Sequence, residues 1–215
     1  MRPVSARVAV LASGGGTNLQ ALLDAPEVKP WISLVVSDRP RAGALERARM
    51  ACVEAVVLEP GGFATREEHD RALAETLRNS GIDVLLLAGY MRILGAPLVR
   101  SFPERILNVH PSLLPAFPGA SAVRDALDWG AKVTGATVHM VDEEVDHGPI
   151  VLQEAVPILP GDDESGLHAR IQAVEHRLFP LGARLLVEGR LKVEGRRVHI
   201  FGPGSDGEPG AAGTR

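Results

Sequence analysis

The sequence predicts an α/β fold with a mainly parallel central sheet and a smaller antiparallel portion. Short apolar runs rich in Val, Ile and Leu alternate with helical stretches over the first 160 residues, as in repeated strand–helix units. The run 84–88 is continuously apolar, which is typical of a strand buried on both faces. Two consecutive strand-like segments, 133–141 and 150–156, add the antiparallel portion.

The first half of the chain consists of three strand–helix pairs. In order, we predict a strand over 7–11, a helix over 18–24, a strand over 32–36, a helix over 42–51, a strand over 53–58 and a helix over 66–79. A glycine cluster ends the first strand, and Pro40 follows the second. Thr65 and Glu68 have the spacing of a capping box, so the third helix begins at about Arg66.

The second half contains the most buried strands and the longest helix. In order, we predict strands over 84–88 and 106–109, a helix over 123–129, strands over 133–141 and 150–156, helical structure over 163–188 and a hairpin over 191–200. Pro111 ends the strand that precedes it. Pro180 predicts a kink or break, so 163–188 is either one helix or two. The hairpin turns at Glu194-Gly195.

One domain over 1–201 is the simplest organisation, because no repeat or linker precedes residue 201. A chain of 215 residues can bury a core without metal or disulfide support. In the last 14 residues, 7 are Gly or Pro and almost none is apolar, so we expect 202–215 to be a disordered tail.

Composition excludes several classes of function. The net charge of -4 is spread along the chain, which argues against a nucleic-acid partner. No apolar run approaches the roughly 18 residues that a membrane span needs. A single cysteine, Cys52, cannot form an internal disulfide, which favours a reducing compartment. We therefore expect a cytoplasmic protein that acts on small molecules.

A glycine cluster lies between the first predicted strand and helix. The segment from Ser13 to Asn18 contains three consecutive glycines, which let backbone N–H groups approach a phosphate at the helix N-terminus. It is not a Walker A motif, and Asn18-Leu19 replaces the last glycine of the dinucleotide fingerprint. The alternative is a tight turn with Thr17 or Ser13 as the helix cap.

Asn108 and His110 are the strongest candidates for catalysis. Side chains alternate along a strand, so the two residues project from the same face. An amide and an imidazole at the carboxyl edge of a sheet suit the stabilisation of an oxyanion. The alternative is a structural histidine beneath a proline-rich turn.

The acidic segment 142–146 is the third candidate. Its carboxylates have no metal-binding spacing, so an exposed loop is the simplest interpretation, and we predict no metal. A single buried carboxylate here could instead pair with His110 and favour its charged form. Two weaker candidates are 89–94, which follows the most buried strand and could line a pocket, and Glu175-His176, for which an exposed pair on a helix face is the simpler interpretation.

Together these motifs resemble the phosphoribosylglycinamide formyltransferase family of folate-dependent enzymes. The resemblance runs from about residue 8 to 191. It is carried by Asn108-Val109-His110-Pro111-Ser112-Leu113-Leu114-Pro115, Gly135-Ala136-Thr137-Val138-His139, Asp146-His147-Gly148-Pro149-Ile150, Gly14-Gly15-Gly16-Thr17-Asn18-Leu19 and Ala88-Gly89-Tyr90-Met91-Arg92-Ile93-Leu94. It implies a Rossmann-like, three-layer sandwich with a mainly parallel, partly mixed sheet.

The resemblance also implies a site. The catalytic residues would be Asn108, His110 and Asp146. Phosphoribosylglycinamide would contact Gly16, Thr17, Asn18, Gln172 and Glu175. The folate would contact Arg66, Met91, Arg92, Ile93, Leu94, Asp142, Glu143, Glu144, Val145 and Asp146, with Arg66 near its glutamate tail and the acidic loop contributing mostly backbone.

The implied activity is transfer of the formyl group of 10-formyltetrahydrofolate, the co-substrate, to the amine of phosphoribosylglycinamide in de novo purine biosynthesis. Asn108 and a protonated His110 would stabilise the oxyanion, and Asp146 would support His110. The partners are small molecules, and the enzyme would be a monomer or homodimer. Two departures from the family are Gly15, where asparagine is common, and 120–123, where Ser121 and Val123 replace frequent histidines.

Other members of the same chemistry remain as alternatives. Methionyl-tRNA formyltransferase would need a further C-terminal tRNA-binding domain, and formyltetrahydrofolate deformylase, a hydrolase, usually carries an N-terminal regulatory domain; we expect neither addition here. The alternative from a different functional class is a non-catalytic protein that binds a phosphate ligand. A charged imidazole at the reaction centre argues against it, since binding alone does not need one.

Overall fold

The structure is a computed structural model that describes residues 6–203. In chain order its elements are β1 (Val8–Leu11), α1 (Thr17–Asp24), β2 (Ile32–Ser37), α2 (Gly43–Met50), β3 (Glu54–Val57), α3 (Arg66–Asn79), β4 (Val84–Leu87), α4 (Ala96–Ser101), β5 (Ile106–His110), α5 (Ala122–Asp128), β6 (Val133–Met140), β7 (Ile150–Pro157), α6 (Glu164–Val187), β8 (Leu191–Glu194) and β9 (Arg197–Ile200). Single 3-10 turns occupy Lys29–Trp31 and Pro60–Gly62.

Seven strands form one mixed sheet in the order β3-β2-β1-β4-β5-β6-β7. The first five in this order are parallel, whereas β6 and β7 pair antiparallel at one side of the sheet. The direction of the strand order reverses between β1 and β4. Open α/β sheets bind ligands at such a point, outside the carboxyl ends of the strands, because neighbouring loops diverge there.

Helices cover both faces of the sheet. Leucines of α1 and the apolar face of α6, including Phe179, form one core cluster with β1, β5 and β6. Leu73 and Leu77 of α3 form the second cluster on the opposite face, with Leu85 and Leu98. The predicted three-layer α/β sandwich is therefore confirmed. Among residues 6–203, no helix has the length and apolar character that crossing a membrane requires.

The capping box and the hairpin lie where the sequence predicts them. Thr65 Oγ1 accepts a hydrogen bond from the Glu68 N–H at 3.2 Å, and α3 has the predicted bounds. The last two strands form a separate two-stranded sheet. The alternative of a single long helix is correct for α6, because Pro180 lies within it without breaking it. Most of the predicted tail, 204–215, lies outside the described residues.

One helix, α4, was not predicted. It has only six residues and contains Pro97 in its first turn. Proline is tolerated there because the first N–H groups of a helix have no partner inside it. A segment this short shows too little periodicity to be recognised from sequence.

Candidate active site

The glycine loop after β1 is packed tightly against the start of α2. Gly16 precedes α1 with a φ of 75°, and a Cβ atom on it would lie 2.7 Å from the Cα of Ala44. The Ala44 N–H donates a hydrogen bond to the Gly14 carbonyl at 3.2 Å. Both the left-handed backbone and the close approach require glycine at position 16. The loop is thereby fixed at the N-terminus of α1.

Three arginines surround this loop. Arg47 Nε donates to the Gly15 carbonyl at 2.8 Å. Arg39 and Arg41, from the loop after β2, line a space of about 420 Å³ together with Ser13, Gly14 and Gly15. Backbone N–H groups, a helix N-terminus and guanidinium groups together suit a phosphate. No sequence motif identifies these arginines, although the position of Arg39 and Arg41 after the strand next to β1 is a usable signal.

Asn18 and Glu175 form a buried polar pair beside the glycine loop. Asn18 Nδ2 donates to Glu175 Oε2 at 2.9 Å, and Asn18 Oδ1 has no partner among the described residues. Burial raises the pKa of Glu175, while the hydrogen bond from Asn18 and the nearby His168 and His110 oppose the rise. Gln172, which is partly buried, lies one helical turn before Glu175. Sequence positions 157 residues apart thus meet in one pair.

Ser13 joins the loop after β1 to the loop after β4. Its N–H donates to the Gly89 carbonyl at 3.1 Å, and its Oγ accepts from the Met91 N–H at 2.9 Å. Because Ser13 is 2% exposed, water does not compete for these bonds. The segment predicted to contact phosphate and the segment predicted to contact folate are therefore held side by side.

The structure brings Asn108, His110 and Asp146 together at the carboxyl end of β5. Asp146 Oδ2 accepts from the Gly119 N–H at 2.7 Å and lies 3.4 Å from His110 Nδ1. Asp146 Oδ1 lies 3.4 Å from Asn108 Nδ2. Asp146 itself has a φ of 51°, an uncommon conformation for a residue other than glycine. The carboxylate therefore reaches both strand residues from a specifically shaped loop.

His139 is a fourth member of this group that the sequence analysis did not single out. It is paired with Asn108 in the register of β5 and β6, and its Nε2 lies 3.1 Å from Asn108 Nδ2. Its Nδ1 faces the Met140 carbonyl at 2.7 Å. The same Nε2 also lies 3.6 Å from Asp146 Oδ1, so His139 faces both the amide and the carboxylate. His139 thereby orients the Asn108 side chain.

Both ring nitrogens of His110 face acceptors within the protein. His110 Nε2 lies 2.8 Å from the Phe117 carbonyl, and Nδ1 faces Asp146. The family resemblance implies that His110 donates directly to a substrate oxygen. In this geometry such an oxygen must replace one of the two acceptors. The 3.4 Å contact with Asp146 is longer and therefore weaker than the 2.8 Å contact with Phe117.

Asp146 is ionised at neutral pH. Burial alone would raise its pKa, but the hydrogen bonds from His139 and the Gly119 N–H and the charges of His110 and His139 outweigh that effect and lower the pKa. In the described part of the chain, no group of three or more His, Cys, Asp or Glu side chains is arranged to hold a metal ion.

The predicted folate segment after β4 is only partly accessible. The side chains of Met91 and Ile93 are more than half exposed, whereas Leu94 is buried in the second core cluster. Arg66 Nη2 donates to the Ile93 carbonyl at 2.8 Å, which ties the start of α3 to this segment. Arg92 lies between Met91 and Ile93 in the chain, and its buried Nε has no hydrogen-bond partner among residues 6–203. Leu94 can offer a ligand its backbone but not its side chain.

The second predicted folate segment, 142–146, is an exposed loop tied to its surroundings. Glu143 pairs with Arg100 of α4 at 2.8 Å, so its side chain already has a partner within the protein. Asp142 accepts from the Glu144 N–H at 3.0 Å and pairs with His147 at 2.7 Å. Glu144 and Val145 are exposed as well, so the accessible parts of this loop include both side chains and the backbone.

Comparison with known proteins identifies the family. A sequence model of the formyl transferase family matches residues 6–182, which is most of the chain. The chain belongs to the formyl transferase family.

Two curated relatives of this formyl transferase differ in how much of their own length it matches. It is 42% identical to the phosphoribosylglycinamide formyltransferase of Escherichia coli (strain K12) over 198 residues, which cover 91% of this chain and 93% of that protein. It is 46% identical to the trifunctional purine biosynthetic protein adenosine-3 of Drosophila melanogaster over 188 residues, or 85% of this chain. The matched region spans only 14% of the length of that trifunctional relative.

Solved structures share the same architecture. Glycinamide ribonucleotide transformylase 1 from Symbiobacterium toebii is 52% identical with a TM-score of 0.89, and the match covers 92% of this chain and 94% of that one. A formyltetrahydrofolate deformylase from Pseudomonas syringae pv. tomato is also similar, with a TM-score of 0.84, but is only 27% identical and is covered over 66% of its length.

Proposed function

We propose that this formyl transferase transfers the formyl group of 10-formyltetrahydrofolate to the amine of phosphoribosylglycinamide in de novo purine biosynthesis. The observation that carries the proposal is the meeting of Asn108, His110 and Asp146 beside the glycine loop. Relatives named phosphoribosylglycinamide formyltransferase, which match over nearly the full chain, support the choice of acceptor.

The ribonucleotide would bind at the carboxyl ends of β1 and β2. Its phosphate would lie on Gly16, Thr17 and Asn18, at the N-terminus of α1, with Arg39 and Arg41 adding positive charge. Its ribose and glycinamide would extend toward Gln172 and Glu175. Because Glu175 bonds Asn18 directly, one buried pair would contact both ends of this ligand.

The folate would bind on the other side of the Ser13 bridge. Its ring system would lie between the segment 91–94 and the loop 142–146, where Met91, Ile93 and Val145 expose apolar surface. Its glutamate tail would point toward Arg66. The formyl carbon would then face Asn108, since Asp146 belongs to this loop and contacts Asn108.

The reaction needs a tetrahedral intermediate. The neutral amine attacks the formyl carbon, a C–N bond forms, and the carbonyl oxygen becomes an oxyanion. Asn108 Nδ2 donates a neutral hydrogen bond to it, and the oxyanion takes the place of Asp146 at His110 Nδ1 to accept a charged one. The lowered pKa of Asp146 keeps a negative charge next to the His110 ring throughout the reaction.

Collapse of the intermediate breaks the bond between the formyl carbon and the folate nitrogen. A proton leaves the attacking amine and reaches that nitrogen through water or His110. Because the amine attacks the formyl carbon directly, no covalent enzyme intermediate forms. We further propose that the enzyme acts as a monomer or homodimer in the cytoplasm. The reducing conditions of that compartment suit a chain whose single cysteine, Cys52, cannot form an internal disulfide.

One assay tests the proposal. The protein is incubated with 10-formyltetrahydrofolate, with and without phosphoribosylglycinamide, and tetrahydrofolate release is followed. Release that depends on the ribonucleotide supports formyl transfer. Equal release without it indicates hydrolysis, the activity named for the Pseudomonas relative. No release in either case indicates a binding protein and contradicts the proposal.

A further inference from the structure

A side-chain network links the β8–β9 hairpin to the loop that carries Asp146. Arg196, at the turn of the hairpin, has Nη1 3.2 Å from His147 Nε2 and donates from Nη2 to the His147 carbonyl. The other ring nitrogen of His147, Nδ1, lies 2.7 Å from Asp142 Oδ2. The arginine therefore contacts one residue through both its ring and its backbone.

The network gives each side chain a hydrogen-bond role. A guanidinium group can only donate, so Nε2 of His147 accepts from Arg196. Nδ1, at the other edge of the ring, donates to Asp142. All three side chains have complementary roles in this arrangement. The contact is consequently directional, unlike a simple attraction between exposed charges.

The hairpin that presents Arg196 is anchored to the body of the protein. Arg190 and Phe201 close its base through a 2.9 Å backbone hydrogen bond and a 2.7 Å bond from Arg190 Nε to the Phe201 carbonyl. Val193 and Val198 pack against the main core cluster. The turn residue Gly195 has a φ of 62°, which glycine adopts without strain. Arg196 therefore reaches the loop from a fixed support.

The segment 142–147 depends on such supports because it is largely exposed. Asp146 has a positive φ, and His147 is the next residue along the chain. The Gly119 N–H holds the Asp146 side chain at 2.7 Å, while Arg196 holds the carbonyl and ring of residue 147. The position of the Asp146 carboxylate is thus fixed from two directions.

We propose that Arg196 and His147 are positioning residues for the reaction. They hold the segment 142–147 so that Asp146 meets Asn108 and His110 and the segment is preformed for folate. The proposal rests on the proposed function for its kinetic consequences. Its structural basis, the contact between hairpin and loop, can be measured without any substrate.

The test compares Arg196→Met with Arg197→Met. Methionine keeps most of the aliphatic stem and removes every donor. Arg197 is the next residue, is exposed, and within residues 6–203 its side chain has no hydrogen bond or ion pair, so it is the matched control. Steady-state kinetics with both substrates are combined with amide hydrogen exchange of peptides that cover 142–148 and α6, in the full-length protein.

For Arg196→Met we expect kcat to fall and the KM for 10-formyltetrahydrofolate to rise, each by about 3- to 10-fold, which together is the range of the two hydrogen bonds that are lost. The KM for phosphoribosylglycinamide stays at the wild-type value, exchange accelerates in 142–148, and α6 exchanges as in the wild type. Arg197→Met behaves as the wild type throughout. A uniform rise in exchange, which marks general destabilisation, contradicts the proposal.

The proposal is overturned if Arg196→Met matches Arg197→Met in kinetics, whether or not exchange changes, because the contact is then structural only. Failure of the proposed function has a different signature. The wild type itself then shows no ribonucleotide-dependent transfer, while the exchange comparison still reports on the contact.

Discussion

Asp146 and Glu175 are both partly or fully enclosed carboxylates at the site, yet their pKa values move in opposite directions. Asp146 has several donors and neighbouring histidines, so stabilisation of the anion exceeds the cost of burial. Glu175 is 4% exposed and has one hydrogen-bond donor, Asn18, so burial dominates. The two carboxylates of the candidate site therefore differ in their electrostatics: the pKa of Asp146 is lowered and that of Glu175 is raised.

Glu175→Gln tests the electrostatic cost of that burial. Because the pKa of Glu175 is raised, the folded protein binds this proton more tightly than the unfolded chain. The wild type therefore loses free energy of unfolding, relative to the variant, as pH rises from the unfolded value of 4.5 through the raised folded pKa. Urea denaturation across this range should show a growing difference that then levels off. Glu27→Gln, at an exposed position, is the control, and a difference independent of pH would contradict the account.

The residues around Asn108 could be predicted only where a sequence pattern singles them out. Asn108 and His110 are two apart on one strand, so their common face follows from alternation alone. The prediction of Asp146 required the family resemblance, because nothing in the spacing selects it among the four acidic residues of its loop. His139 needed the register of β5 and β6, which sequence periodicity does not determine.

At the scale of elements, the glycine-loop side of the site is built from loops that leave the carboxyl ends of the parallel strands β1 and β2. The loop after β1 is shaped by glycines, the loop after β2 by arginines, and the two are joined through the Ala44 N–H and Arg47. Such loops tolerate little change where backbone atoms meet. Gly16 has that restriction, whereas a Cβ on Gly14 or Gly15 would meet nothing within 4 Å, which makes these two glycines useful controls.

Gly16→Ala should disrupt the loop, whereas Gly14→Ala should not. A Cβ at Gly16 would meet Ala44 at 2.7 Å and would require a φ of 75°, while one at Gly14 meets nothing within 4 Å. We expect Gly16→Ala to lower the free energy of unfolding by about 1–3 kcal/mol and to raise the KM for the ribonucleotide. Thermal unfolding and steady-state kinetics measure both effects. Equal behaviour of the two variants would show that the loop is not constrained as described.

Arg41→Met should weaken ribonucleotide binding through the loss of one cation beside the phosphate. We expect the KM for phosphoribosylglycinamide to rise about 3- to 10-fold and the KM for folate to stay unchanged. The matched control is Arg49→Met on α2, where an exposed arginine pairs with Glu46. Because screening weakens exposed charges, the difference between variant and wild type should shrink at high salt. An effect on the folate KM instead would place the ligands differently.

Elements with strong local signals could be predicted, and those decided by tertiary contacts could not. The capping box at Thr65 correctly predicts where α3 begins. Pro180 is a local breaking signal, yet α6 continues through it, because the buried residues on both sides, including Phe179, are held against the sheet. The contact of Arg196 with His147 joins positions 49 residues apart and has no sequence signature.

At the scale of the whole molecule, the site collects residues from nearly the full length of the chain. Asn18 in α1, Asn108 in β5 and Glu175 in α6 come together only when the central sheet is complete. The strand order, with its reversal between β1 and β4, determines where they meet. Binding of the ribonucleotide should therefore stabilise the fold as a whole.

This coupling predicts a shift in global stability. Phosphoribosylglycinamide at about 100 times its Kd should raise the free energy of unfolding by about 2.7 kcal/mol, since only the folded chain has the site. Urea denaturation measures the shift, and glycinamide, which lacks the ribose phosphate, is the control. An equal shift with glycinamide, or none with the ribonucleotide, would contradict binding across the glycine loop.

The central claim is that formyl transfer to phosphoribosylglycinamide occurs where Asn108, His110 and Asp146 meet. The most direct measurement is the turnover of the wild type and Asn108→Ala at saturating 10-formyltetrahydrofolate and ribonucleotide, with circular dichroism to confirm that the variant is folded. The account predicts ribonucleotide-dependent release of tetrahydrofolate by the wild type and a fall of at least about 100-fold in the variant, as for loss of one oxyanion donor. Near-normal turnover of a folded Asn108→Ala protein would contradict it.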